Sequence, residues 1–135
     1  MHRKMIIGIV CIIVISLIFF GGRYIYKTIK YKEIISGIVI ETPDLSSISD
    51  GTYDGSFDAI MISADVSVTV KDRQITGIVI NRHKNERGES AERITNEVVS
   101  SQSLKVDTIS GATNSSKVIL KAIENALDKG ESEKQ

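Results

Sequence analysis

The densest run of side chains able to do chemistry in this chain is Asp107-Thr108-Ile109-Ser110-Gly111-Ala112-Thr113-Asn114-Ser115-Ser116. Ser110, Thr113, Ser115 and Ser116 place four hydroxyls beside the start of an amphipathic helix, and Gly111 lets backbone approach a ligand closely. The first turn of a helix carries N–H groups without intrahelical partners and a partial positive charge. Such a segment therefore suits an anion, phosphate above all. The ordinary alternative is that these Ser and Thr residues are helix caps, and composition alone favours it.

Little else in the inventory competes. One cysteine, Cys11, excludes an intramolecular disulfide and a CxxC redox pair. The only histidines, His2 and His83, are too far apart in sequence to form a ligand pair, so a transition-metal site is not expected. Lys plus Arg and Asp plus Glu both number 17, which leaves no basic excess for nucleic acid. With four Tyr, three Phe and no Trp, base-stacking platforms are not expected either. Any redox chemistry would have to come from a bound organic cofactor.

The elements that must position the hydroxyl-rich segment follow from periodicity. Met5 to Phe20 is an unbroken apolar run extended by Gly21 and Gly22. Its eighteen residues make about 27 Å of helix, close to the roughly 30 Å of a bilayer's hydrocarbon. His2, Arg3 and Lys4 resemble the leading region of a signal peptide, but Phe19 and Phe20 offer no small-x-small exit. An uncleaved anchor over 1–22 is expected, with Cys11 inside the membrane. Residues 23–49 read as a juxtamembrane helix or stem followed by a linker, which contains the only proline. Strands are expected over Gly51–Phe57, over the strict alternation from Ile60 to Val70, and over Gln74–Arg82. The turn at Lys71-Asp72-Arg73 lacks the glycine that tight hairpins prefer. His83–Gly88 reads as a polar loop, Ser90–Ser100 as a helix, and Lys105–Ile109 as a strand or bridge. Val118, Ile119, Ala122, Ile123, Ala126 and Leu127 stripe the last helix, which Gly130 is placed to end. The fold class is α+β: a small antiparallel sheet packed by two helices over 50–130, behind one transmembrane helix and before a frayed tail over 131–135.

The string Asp107-Thr108-Ile109-Ser110-Gly111-Ala112-Thr113 resembles the D-x-x-S-G-A-T signature of the FMN-binding domain family. That family is typified by the C subunit of the sodium-translocating NADH:quinone reductase and the G subunit of the Rnf complex. Asp50–Phe57 (DGTYDGSF), the hairpin ending at Ile80–His83, the Ala-x-x-Ile helix followed by Gln102, and the ending Ala126–Gly130 also match in order. The resemblance covers roughly residues 50–130. Larger members carry an acidic-proline-glycine loop where this chain has Asn85-Glu86-Arg87-Gly88, so it resembles the minimal single-domain branch.

The resemblance implies FMN held through a phosphoester on Thr113, installed from FAD by a separate magnesium-dependent flavin transferase. Gly111 and Ala112 would leave room for transferase and phosphate. Asp107 would contact the transferase or order the loop, unless it is a plain turn residue. Ser110 would hydrogen-bond the phosphate or cap the helix, with Ser115 and Ser116 as further donors or first-turn residues. His83 is either a flavin neighbour or a solvent-facing loop residue, and Tyr53 either packs on the flavin or is an ordinary strand aromatic. No acid, base or nucleophile constellation stands out. An electron-transfer flavoprotein is therefore expected rather than an enzyme with its own substrate, its redox donor and acceptor unidentified. The alternatives are a non-covalent FMN-binding reductase component and a flavin-free membrane-tethered module. Arg3 and Lys4 before the apolar run, against Arg23, Lys27, Lys30 and Lys32 after it, point to a cytoplasmic domain. The resemblance implies the extracytoplasmic face of the cell membrane, where a dissociable cofactor would be lost, and it is given more weight.

Overall fold

A computed structural model describes residues 1–84 and 88–132. Helix α1 (His2–Ser36) is one continuous rod of 35 residues, apolar and exposed through its first two-thirds. It is the one helix among the described residues long and apolar enough to cross a membrane. Its last turns behave differently. Tyr31, Ile34 and Ile35 lie on a single helical face and pack on the core, as does Ile38 just past the helix end, and Ile35 is 7% exposed. The chain then runs along the domain, with Ile40, Leu45 and Ile48 facing inward. Thr42 Oγ1 accepts a hydrogen bond from the backbone N–H of Leu104 at 3.0 Å. The core thus takes in residues well upstream of residue 50.

Three antiparallel strands follow in the order β1 (Gly51–Asp58), β2 (Ser63–Lys71) and β3 (Gln74–Lys84). The alternation expected of the middle strand appears directly. Ala64, Val66, Val68 and Val70 are buried at 1% exposure or less, while Asp65, Ser67 and Thr69 face the other side. On that polar face Ser67 hydrogen-bonds Asp54 and Asn81, and Arg82 pairs with Asp65 at 2.8 Å. The strand starts three residues later than the alternation suggests. Ile60 sits at φ 72° in the β1–β2 turn, where the Asp58 carboxylate accepts from its N–H at 2.6 Å. The β2–β3 turn manages without glycine. Asp72 and Arg73 both take positive φ, as a type I′ turn requires, and Asp50 accepts from the Asp72 N–H at 2.9 Å.

A 3₁₀ turn (Glu89–Arg93) leads into α2 (Ile94–Ser101), so the helix expected from Ser90 begins as a tighter coil. Ala91, Ile94 and Val98 are fully buried, as their spacing requires. Gln102 ends α2 in a left-handed conformation, and its amide pairs with the edge strand. Oε1 accepts from the Ile75 N–H at 2.7 Å, while Nε2 donates to the carbonyls of Ile75 and Val99 at 2.8 and 2.7 Å. Residues 105–109 form neither a strand nor a bridge.

Helix α3 (Thr113–Ser132) lays its whole apolar stripe, Val118 through Leu127, against β1 and β2. It does not stop at Gly130. That glycine is buried within the helix, and a Cβ there would lie 2.8 Å from Ile48 and 2.9 Å from the Tyr53 ring. Tyr53 is a core aromatic whose hydroxyl donates to the Ser49 carbonyl at 2.9 Å. Of the segment expected to fray, Glu131 and Ser132 are helical and 133–135 lie outside the described residues.

Gly55 marks the closest approach of α3 to the sheet. A Cβ there would strike the backbone carbonyl of Ala122 and the backbone nitrogen and Cβ of Ala126. Backbone cannot move aside as a side-chain tip can, so Gly55→Ala should destabilise the domain by about 1–3 kcal/mol or more. Gly77 has open space at the same point. Gly77→Ala should therefore stay within about 0.5 kcal/mol of the wild type. Urea titrations of the chain in detergent, followed by circular dichroism, compare the two.

Candidate functional site

The sequence segment richest in hydroxyls folds as a turn that feeds directly into α3. The Ala112 N–H donates to the Ile109 carbonyl at 2.9 Å, which closes a four-residue turn with Ser110 and Gly111 at its centre. Gly111 takes φ 78°, a conformation L side chains rarely adopt, and the space where its Cβ would point is empty. Ser116 fixes this turn from inside the helix. Its hydroxyl donates to the Ala112 carbonyl at 2.9 Å and accepts from the Ile109 N–H at 3.0 Å. Both functions of that fully buried hydroxyl are thereby used, and Ser116 does not line the cleft described next.

Thr113 is the first residue of α3 and is exposed. It stands on the wall of a cleft of about 380 Å³, within the range of small-molecule sites. Gly111, Ala112, Asn114 and Ser115 line the same wall; Ile62 comes from the β1–β2 turn, Gly88 from the segment before the 3₁₀ turn, and Tyr31 from α1. Ala112 and Ser115 are almost wholly buried and small, which lets the cleft reach the backbone. The N–H groups of the first turn of α3 open here, where no earlier helical carbonyl can accept them. These residues fit a phosphate ester: an accessible hydroxyl, small neighbours and a helix N-terminus on one wall.

The loop divides the other expected residues. Asp107 and Ser110, both exposed, line a separate cleft of about 560 Å³ with Arg93, Glu97 and Lys105. His83 belongs to neither. It lies within β3, which runs two residues beyond the expected end of the strand, and its side chain is only 1% exposed. Its Nδ1 sits 3.1 Å from Glu92 Oε1, linking the strand to the 3₁₀ turn. Of the expected loop, Asn85, Glu86 and Arg87 lie outside the described residues. Among the described residues, no group of three or more His, Cys, Asp or Glu gathers to hold a metal ion.

Sequence reasoning did not single out Tyr31, Ile62, Gly88 or Asn114. Asn114 directly follows the signature and could have been found by extending it. Tyr31 lies 82 residues before Thr113, in a segment whose composition speaks only of the membrane surface.

A family model described as FMN-binding domain matches residues 61–128, from the turn before β2 to near the end of α3. NADH:acrylate oxidoreductase of Vibrio harveyi is 38% identical over 66 residues, which cover 47% of this chain and 7% of that relative. The chain thus corresponds to a small part of a much longer protein. No solved structure matches it.

Ser116→Ala removes the partner of the Ile109 N–H, whereas the Ala112 carbonyl keeps the helical bond from the Ser116 N–H at 2.9 Å. One partly buried donor is left unmet, a loss of about 1–3 kcal/mol. The expected outcome is lower stability in urea, with hydrogen exchange accelerated more at the Ile109 amide than at the β2 amides.

Proposed function

This chain belongs to the FMN-binding domain family and is an FMN-binding flavoprotein, and we propose that its flavin is joined through a phosphoester to Thr113. The observation that carries this is the exposed Thr113 hydroxyl at the mouth of α3, in a cleft whose described lining contains no Lys or Arg. A free FMN phosphate carries about −1.5 to −2 charges at neutral pH, and a helix N-terminus offsets only about half a charge. Esterification leaves a diester with a single charge, which the open N–H groups of α3 can satisfy without a cationic side chain. A separate transferase with FAD as donor fits this site. Thr113 Oγ1 forms the new bond to phosphorus, the pyrophosphate bond of FAD breaks, AMP departs and the hydroxyl proton passes to solvent.

Bound FMN takes electrons in pairs and passes them on singly. The chain's own residues hold it at one place, through Thr113 and the turn braced by Ser116, and present it at an open cleft. We assign the chain a relay between redox partners. The relative is named an NADH:acrylate oxidoreductase, and a short matching stretch within so long a protein supports a module that passes electrons on. The long apolar α1 supports a single-pass anchor, and we place the domain on the extracytoplasmic face, where covalent attachment prevents loss of the flavin.

Intact mass of the full chain, co-expressed with a flavin transferase and purified from membranes, tests the linkage. The wild type should gain one FMN less one water, and Thr113→Ala should gain nothing. Flavin that is released on denaturation from an unmodified chain would mean non-covalent binding, and a colourless, folded chain would leave only a flavin-free module. For the orientation, Ser132→Cys with Cys11→Ala should react with a membrane-impermeant maleimide in intact cells; labelling only after lysis would place the domain in the cytoplasm.

A further inference from the structure

Tyr31 belongs to the helix that carries the apolar run, yet it lines the cleft that holds Thr113. Asn114 Nδ2 donates to its phenolic oxygen at 2.9 Å, so the residue next to Thr113 fastens the anchor helix to the site. The docking is secured further along the chain: Ile34 and Ile35 pack on the core just beyond Tyr31, and Lys121 of α3 donates to the Val39 carbonyl at 3.1 Å. Tyr31 is the only aromatic residue in the cleft's described lining. A planar ligand that enters beside the small residues of the α3 mouth meets this ring as the one aromatic surface among the described lining residues.

We propose that Tyr31, supplied by the anchor helix, is the aromatic wall of the flavin site, so that the anchor is part of the cofactor environment and not only a tether. This rests on the flavin reading given above. Tyr31 follows Gly22 by nine residues, which sets the cleft about 14 Å along the helix from the end of the apolar run. The phenolic oxygen accepts from Asn114 through a lone pair, which leaves its hydrogen free to donate into the cleft. Tyr31 is a positioning residue: it orders the flavin face and takes no part in a net reaction.

A tyrosine against an isoalloxazine has a spectroscopic signature that packing alone does not give. On excitation, an electron passes from the phenol to the flavin and returns, with no net change in either, and the emission is lost. The experiment uses the flavinylated full chain in detergent, its loading checked by intact mass, and reads flavin fluorescence lifetime. The wild type should be short-lived. Tyr31→Phe keeps the ring and the helix packing but cannot donate the electron, so the lifetime should lengthen several-fold. Tyr31→Trp should restore quenching, and Tyr31→Ala should also make the flavin more accessible to iodide. A fully flavinylated Tyr31→Phe with the wild-type lifetime would overturn the role of Tyr31 and leave the function standing. A wild-type chain without flavin would overturn the function and this inference together.

Discussion

The close seating of α3 on β1 governs everything else in this small domain. Gly55 lets the backbone of one element reach the backbone of the other, and Gly130 lets the far end of the same helix close over Ile48 and Tyr53. Between them, Val118, Ile119, Ala122, Ile123, Ala126 and Leu127 lose all contact with water. Apolar burial at about 25 cal/mol per Å² is what holds a domain of this size together, and only close packing realises it. The helix that carries this face also carries the site at its first residue. A rigid α3 fixes where Thr113 stands, and the Ser116 hydroxyl passes that rigidity back into the turn before it.

The parts of the fold set by burial were legible in the sequence. The period-two pattern of β2 and the double stripe of α3 each put one chemical type on one face, so pattern and packing agree. The misses occur where backbone geometry or long-range contact decides. Ile60 at positive φ breaks its own alternation, because an aspartate cap and a tight turn override β-propensity there. Gly130 has the appearance of a stop signal but is kept for its missing Cβ, a reason visible only once Ile48 and Tyr53 lie across it. His83 could not be placed from a polar neighbourhood, since its position within an extended β3 and its contact with Glu92 exist only in the folded chain.

The site was half legible for the same reason. Residues 107–116 lie together in sequence, so their shared position before a helix could be read directly, whereas the positive φ of Gly111 could not. Which of their side chains face one cleft could not be read. The turn sends Asp107 and Ser110 to one side and Thr113 and Ser115 to the other, while Ser116 turns inward. The rest of the lining comes from residues 31, 62 and 88, whose proximity exists only in the folded chain.

The segment after the apolar run bears on how such a protein can work. Residues 41–50 have a linker's composition, and a free chain of ten residues would span about 17 Å on average, letting a domain swing between partners. Here that freedom is largely spent. Ile38, Ile40, Leu45 and Ile48 face the core, Thr42 holds Leu104, and Lys121 holds Val39. These contacts tie helix to domain, and under the proposed topology they hold the cleft near the membrane surface rather than on a free tether. A relay built this way does not carry electrons by travelling. Under the proposed function, donor and acceptor would each come to the same open cleft, and exchange would be governed by their encounter rates and by the order in which they bind.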